Sequence, residues 1–404
     1  MKSLFTISLL FLSLFAEADY WTQKADFGGG IRSDAIGFSI GNKGYMGTGN
    51  APSLSNDFWE YNQTIDAWIQ KANFTGLSRA DAACFSIDSP AMGFIATGWS
   101  NFLQGDFWIY DSIPNLWNQI NNFHGTTRTG ATGFSIGKKG YLGLGWPITK
   151  DFWEYDPAMN AWTQKADFGG GKRWEAVGFG LNGKGYIGTG EDSASNVCND
   201  FWEFDTAANV WTQKSNLGGL ARWEAVGFSI GNKGYIGTGN NGNMFLNDFW
   251  EYDPNTGNWT QKSNFGGNGR YRAVGFSIGN KGYIGTGIDS TTFSKKDFWE
   301  YTADSITTDI NELSSSAFQF QVSPNPAHGE LVVGWQSEGD KKVEITIFDA
   351  TGRPTPCPLK GVEERSSALG GRGYVIDISN FSQGLDFIVA DDGRERAVQK
   401  FVKE

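Results

Sequence analysis

Apolar and polar positions recur in one fixed order along most of this chain. The fifth copy reads Arg222-Trp-Glu-Ala-Val-Gly-Phe-Ser-Ile-Gly-Asn-Lys-Gly-Tyr-Ile-Gly-Thr-Gly239, then Asp248-Phe-Trp-Glu-Tyr-Asp253 and Trp259-Thr-Gln-Lys262. Within a copy, β-branched and aromatic runs alternate with turn chemistry such as Gly-Asn-Lys-Gly and Asp-Pro-Asn-Thr-Gly, which predicts four short strands. They are an Arg-led segment ending in Gly-Phe-Ser-Ile, then Lys-Gly-Tyr-Ile-Gly, then Asp-Phe-Trp-Glu-Tyr, and finally a strand built on Trp-Thr-Gln-Lys. The copies begin at Arg32, Arg79, Arg128, Arg173, Arg222 and Arg270, at spacings of 47, 49, 45, 49 and 48 residues. A unit of this length cannot bury its own apolar face, so the copies must pack on one another. Six four-stranded antiparallel units predict an all-β, six-bladed propeller over residues 19–301.

The sixth copy stops after its third strand at Tyr301, and its missing fourth strand stands at the other end as Tyr20-Trp-Thr-Gln-Lys24. The N-terminal strand is therefore expected to close the ring and remove the free edges of an open array. Third-strand and fourth-strand Trp residues lie nine apart in every complete copy, from Trp59 and Trp68 to Trp250 and Trp259. The loop from the second to the third strand varies instead, with 7, 7, 5, 9, 8 and 9 residues. Variable loops on a rigid scaffold are where binding is expected.

The Arg-led first strand, the Tyr-Ile-x-x-Gly second strand, the Trp-x-Tyr-Asp third strand and the Trp of the fourth resemble the kelch-repeat family over residues 19–301. One departure is that the family's Gly-Gly pair is Thr-Gly in five copies (Thr48-Gly49 to Thr286-Gly287) and Leu144-Gly145 in the third. Residues 302–316 read as a polar linker. Beyond them, Val322-Ser-Pro-Asn-Pro, Val343-Glu-Ile-Thr-Ile-Phe, Ile376-Asp-Ile-Ser-Asn-Phe and the closing Gln399-Lys-Phe-Val-Lys403 resemble the C-terminal sorting domain of the type IX secretion system. The resemblance implies a small β-sandwich over residues 317–404, recognised during outer-membrane passage.

Lys2, the apolar run Leu4 to Phe15 and Ala16-Glu17-Ala18 predict a signal peptide over residues 1–18, which is too short to span a bilayer comfortably. Localisation is expected to be the outer-membrane surface of a Gram-negative bacterium or the medium, after export to the periplasm. No stable transmembrane insertion is expected. A formal charge of −11 disfavours nucleic acid as a partner. Cys84, Cys198 and Cys357 form no disulfide framework. Cys84 sits in an apolar strand pattern and is expected to be a small core residue.

Copper oxidation of the galactose oxidase kind needs two imidazoles and two tyrosinates on one metal. The chain has two histidines, His124 and His328, in separate domains, which excludes it. Glu191 and Asp192 fall short of the 6 to 8 oxygens that calcium takes. No metal, cofactor or catalytic residue is assigned. The six Asp residues that open the third strands read as turn hydrogen bonding, because they recur in every copy.

The leading Arg residues should gather at the loop-bearing end of the channel. Their neighbours two residues on are Asp34, Asp81, Glu175, Glu224 and Arg272, with Gly130-Ala131 in the third copy. Alternation places each Arg and that neighbour on the same strand face. One reading is an ion-pair ring between blades. The other is an anion funnel, in which Arg128, Arg270 and Arg272 lack such an acid and meet a ligand carboxylate or sulfate. The candidate ligand face comprises Arg128, Arg173, Arg222, Arg270, Arg272, Trp99, Trp146, Trp174, Trp223, Tyr271 and Glu191. The leading expectation is an exported propeller that binds a glycan or a surface protein and is delivered by the type IX machinery. The alternative is a sugar-acid mutarotase or epimerase of the bacterial kelch type, with Glu175, Glu224 or Glu191 as acid and base.

Overall fold

The computed structural model describes residues 15–50, 52–89, 91–291 and 293–307, and residues 319–323, 330–336, 344–348, 372–379, 384–391 and 396–403 of the C-terminal region. The chain divides into two units, one spanning Ala18–Ser305 and the other holding the residues from Ile306 onward.

The first unit is a closed ring of six four-stranded antiparallel sheets. The fifth blade shows the plan: Val226–Ile230, Lys233–Gly237, Phe249–Asp253 and Asn258–Lys262 pair in sequence order, with Phe228 opposite Tyr235. Strand alternation separates the two faces of the inner strand. Val226, Phe228 and Ile230 are buried, while Gly227 and Ser229 line the central channel.

The core lies between blades rather than within them. Phe38, Tyr45 and Phe58 of the first blade pack on Ile95, Tyr110 and Trp117 of the second. The same contact recurs around the ring until Val274, Phe276 and Phe298 of the sixth blade meet Met46 and Tyr61 of the first. The approach is close enough that a Cβ on Gly93 would lie 2.2 Å from the Phe38 ring, which explains the glycine before the aromatic in each second strand. The sixth blade is completed as expected: Tyr20–Lys24 pairs with Phe298–Thr302, with Trp21 opposite Tyr301.

The leading Arg residues are scaffold. All six are at most 3% exposed. Each grips, with two guanidinium nitrogens at 2.6–3.0 Å, the carboxylate that opens the third strand of its own blade: Asp57, Asp106, Asp151, Asp200, Asp248 or Asp297. The third-strand Trp of each blade donates its indole N–H to the same carboxylate at 2.7–2.8 Å. These aspartates are therefore the counter-ions of the buried Arg residues, not turn-formers, and the pairs lie within blades rather than between them. Five of the guanidinium groups also rest on a Phe of the preceding connection. The fifth blade has Leu217 in that place.

The clamp also accounts for the Thr-Gly pairs. Each Arg donates to the carbonyl of Thr48, Thr97, Leu144, Thr189, Thr238 or Thr286, and each of these residues has φ between 55° and 65°. Left-handed backbone is uncommon for a β-branched residue and persists where its surroundings fix it.

In the C-terminal unit, Gln319–Ser323, Glu330–Gln336 and Arg372–Asp377 form one three-stranded sheet. Glu344–Phe348, Gly384–Asp391 and Arg396–Lys403 form another. Val322, Leu331, Val333, Ile347, Ile376, Ile378 and Ile388 of the two sheets make one buried cluster.

Candidate functional site at the channel mouth

Where each chain segment passes from the leading Arg to the inner strand, it bends. The residue two after the Arg is left-handed in all six blades, at φ 50–59°: Asp34, Asp81, Gly130, Glu175, Glu224 and Arg272. The bend breaks the predicted alternation, so the Arg goes into the blade while its neighbour turns toward the channel axis. Two closed rings of backbone hydrogen bonds hold this end together. In the inner ring each bent residue donates to the carbonyl of the one before it, from Asp81 to Asp34 (2.9 Å) round to Asp34 to Arg272 (3.2 Å). In the outer ring the glycine after each second strand donates to the leading Arg carbonyl of the next blade at 2.7–2.9 Å, closing with Gly287 to Arg32.

The inner ring thereby gathers four carboxyl groups and one guanidinium. Arg272 donates its Nε to Glu224 at 2.8 Å and stands 3.4 Å from Asp34. Asp34 accepts a further bond from the Ser33 hydroxyl at 3.0 Å, and Asp81 accepts one from the Thr129 hydroxyl at 2.6 Å. Glu175 leans across the third blade, where a Cβ on Gly130 would lie 2.7 Å from its Oε1. That glycine leaves the room in which Glu175 reaches toward Asp81. Burial raises all four acids. Asp81, further raised by the charge of Asp34, is pushed up to about 6. Glu224 is pushed up to about 8 although Arg272 opposes the shift. Burial and then the charges of Asp81 and Glu224 carry Glu175 well above the usual carboxylate range, and Asp34 is raised despite Arg272.

Aromatic side chains surround these acids. The residue after each leading Arg bridges to the first residue of the second-to-third-strand loop, as in Ala80 with Trp99, Thr129 with Trp146 and Trp174 with Glu191. One member of that pair is aromatic in blades two to six: Trp99, Trp146, Trp174, Trp223 and Tyr271. The first blade has Ser33 and Asn50 there. Trp99 and Trp146 are 44% and 48% exposed, so their faces are open to a ligand. Trp174, Trp223 and Tyr271 form a continuous row, with ring centres 5.8 and 6.4 Å apart. Phe245 stacks on Tyr271 at 4.6 Å, and the Arg272 guanidinium lies 5.3 Å from the Tyr271 ring centre.

Behind the acids runs a channel of about 520 Å³, lined by small residues of the inner strands such as Ala35, Ala82, Ala131, Ala176, Ala225 and Ala273. Cys84 lies in this lining and packs against the core shared by the first two blades, its thiol donating to the Gly37 carbonyl at 3.3 Å and pushed up to about 11 by burial. Cys84 and Cys198 are both unpaired thiols, and Cys357 and His328 lie outside the described residues.

The structure brings Trp99, Trp146, Trp174, Trp223, Tyr271, Arg272 and Glu191 to one mouth. It does not bring Arg128, Arg173, Arg222 or Arg270 there, because each is locked on its own aspartate beneath the surface. Of the two readings, the ion-pair one describes the leading Arg residues, though within blades, and the anion funnel gives way to an acidic ring in which Arg272 is the one guanidinium. Phe245 was missed by the sequence reading, and no repeat marks it. The convergence of the four acids was missed as well, although a glycine sharing a repeat position with Asp, Glu and Arg is a trace of left-handed backbone.

Residues 321–404 match the family described as secretion system C-terminal sorting domain. Among solved structures, the chain is similar to one titled "Structure of YjhT", at 15% identity and a TM-score of 0.59, covering 68% of this chain and 95% of that one. Comparison with curated proteins gives no match. The molecule is a six-bladed β-propeller whose C-terminal residues match a secretion system sorting domain, and that domain marks it for export to the cell surface or the medium.

Proposed function

We propose that the exported propeller binds a carbohydrate at this mouth. The observation that carries the reading is the crown of five aromatic residues set around the converging carboxyl groups. Flat apolar faces beside hydrogen-bonding acids match the two kinds of surface that a sugar ring presents. A glycan screen on the full chain tests it, followed by titration of any hit against Trp174→Ala and Trp223→Ala. Each substitution is expected to weaken binding roughly tenfold or more, the loss typical of an anchoring aromatic. A blank screen together with recovery of a protein ligand would replace the carbohydrate reading.

One observation favours a second reading. Asp81, raised to about 6, lies next to Glu175, and a pair of carboxyl groups pushed toward neutrality can serve as acid and base at an anomeric carbon. Faster anomer exchange of a sugar by NMR, abolished by Glu175→Gln, would establish this activity.

A further inference from the structure

We propose that the saccharide taken by this mouth carries a protonated amine, whose ammonium group docks among Asp81, Glu175 and Glu224. This rests on the carbohydrate reading above and narrows it to amino sugars. The charge balance of the ring is the first ground. Arg272 stands between Glu224 and Asp34, so it serves that side of the ring. On the other side Asp81 accepts from the Thr129 hydroxyl, and Glu175 reaches toward it past Gly130. Among the described residues the ion pairs of Arg272 go to Asp34 and Glu224, and its charge reaches Asp81 only at longer range.

A second ground is independent of that balance. The Glu224 side chain is 2% exposed, and one of its oxygens is engaged by Arg272. Its other oxygen, Oε2, is buried without a hydrogen-bond partner. A buried polar oxygen left unpaired is costly, so this atom calls for a hydrogen-bond partner. An alkylammonium offers three donors and no acceptor, which matches three carboxyl acceptors. The Trp174–Trp223 row beside the ring adds aromatic faces that attract such a cation. A sugar carboxylate would instead confront four acids.

The test uses the full chain and calorimetric titration near pH 7 with a glucosamine tetrasaccharide, its fully N-acetylated counterpart and a sialic acid. The free amine is expected to bind at least tenfold more tightly than the acetylated form. It should also release protons from the site, seen as binding heat that changes with the ionisation enthalpy of the buffer. The double variant Asp81→Asn/Glu175→Gln is expected to abolish both the preference and the proton release. The comparison of ligands on the unaltered chain stands even if that variant does not fold. Equal binding of the two tetrasaccharides, or tighter binding of the sialic acid, would overturn the amine assignment while leaving the carbohydrate reading intact. No binding of any saccharide would overturn both.

Discussion

At the residue scale the protein sets two groups of carboxyl groups against each other. Five of the clamp aspartates sit deep enough for burial to raise them, yet bonds from the Arg and Trp outweigh burial. Asp57, Asp106, Asp151, Asp248 and Asp297 are therefore held below the usual carboxylate range. A depressed folded value contributes stability above the unfolded value, and that stability is lost as pH falls through the folded one. The mouth acids have the opposite sign. Asp34, Asp81, Glu175 and Glu224 are raised, so the folded state holds more protons than the unfolded state, and stability drains away as pH rises through the folded values, about 6 for Asp81 and about 8 for Glu224. Arg272 moderates this by favouring the ionised forms of Asp34 and Glu224. Stability is thus expected to peak on the acid side of neutrality and to fall by several kcal/mol toward pH 8.5, since each tenfold difference in proton affinity between the folded and unfolded states is worth about 1.4 kcal/mol. Urea unfolding across pH 4.5–8.5 measures it. In Asp81→Asn/Glu175→Gln the slope above pH 6 should flatten, and an unchanged slope would mean that these two acids do not titrate in that window.

At the scale of the element, spacing carried most of the information. The nine-residue interval between Trp59 and Trp68, repeated in each complete copy, records a third and fourth strand locked in register as Tyr61 opposite Trp68. The orphan Tyr20–Lys24 was legible as the closing strand for the same reason. What alternation could not show was the bend at Asp34 and its equivalents, since a left-handed residue inside an extended pattern leaves no hydrophobic signature. That single feature moved the leading Arg residues from the mouth into the blades and brought the acids to the axis. It also hid the role of Asp57 and its equivalents, whose partner lies 25 residues away in the first blade. The closing strand itself gives a direct test. Trp21 packs edge-on against Phe249 and Phe265 and donates to the Ser263 carbonyl at 3.1 Å, while the Asp19 carboxylate accepts from the Tyr301 hydroxyl at 3.1 Å. Removing residues 19–26 deletes these contacts and exposes Phe298–Thr302 as an edge. The melting temperature is expected to drop by roughly 10 °C, since each kcal/mol is worth about 2–4 °C in a domain of this size. Trp21→Ala should give a smaller loss. A shortened chain that melted like the parent by differential scanning calorimetry would show that the ring closes without its N-terminal strand.

For the whole molecule, the sorting-domain match and the candidate site fall in separate units. The mouth, the clamps and the interblade core all lie within Ala18–Ser305, and the sorting-domain match covers residues 321–404. The propeller core is shared blade to blade, from the first round to the sixth and back. Loss of the tail should therefore leave folding untouched and abolish delivery. A chain ending at residue 320, expressed in a host with the type IX system, is expected to accumulate inside the outer membrane with the melting transition of the parent propeller. It should be missing from the surface and medium fractions, as read by protease shaving of intact cells and by immunoblotting. Equal surface delivery with and without residues 321–404 would mean that the address lies elsewhere in the chain. A truncated product that was inside the cell but unfolded would show that the propeller depends on the tail for more than its destination.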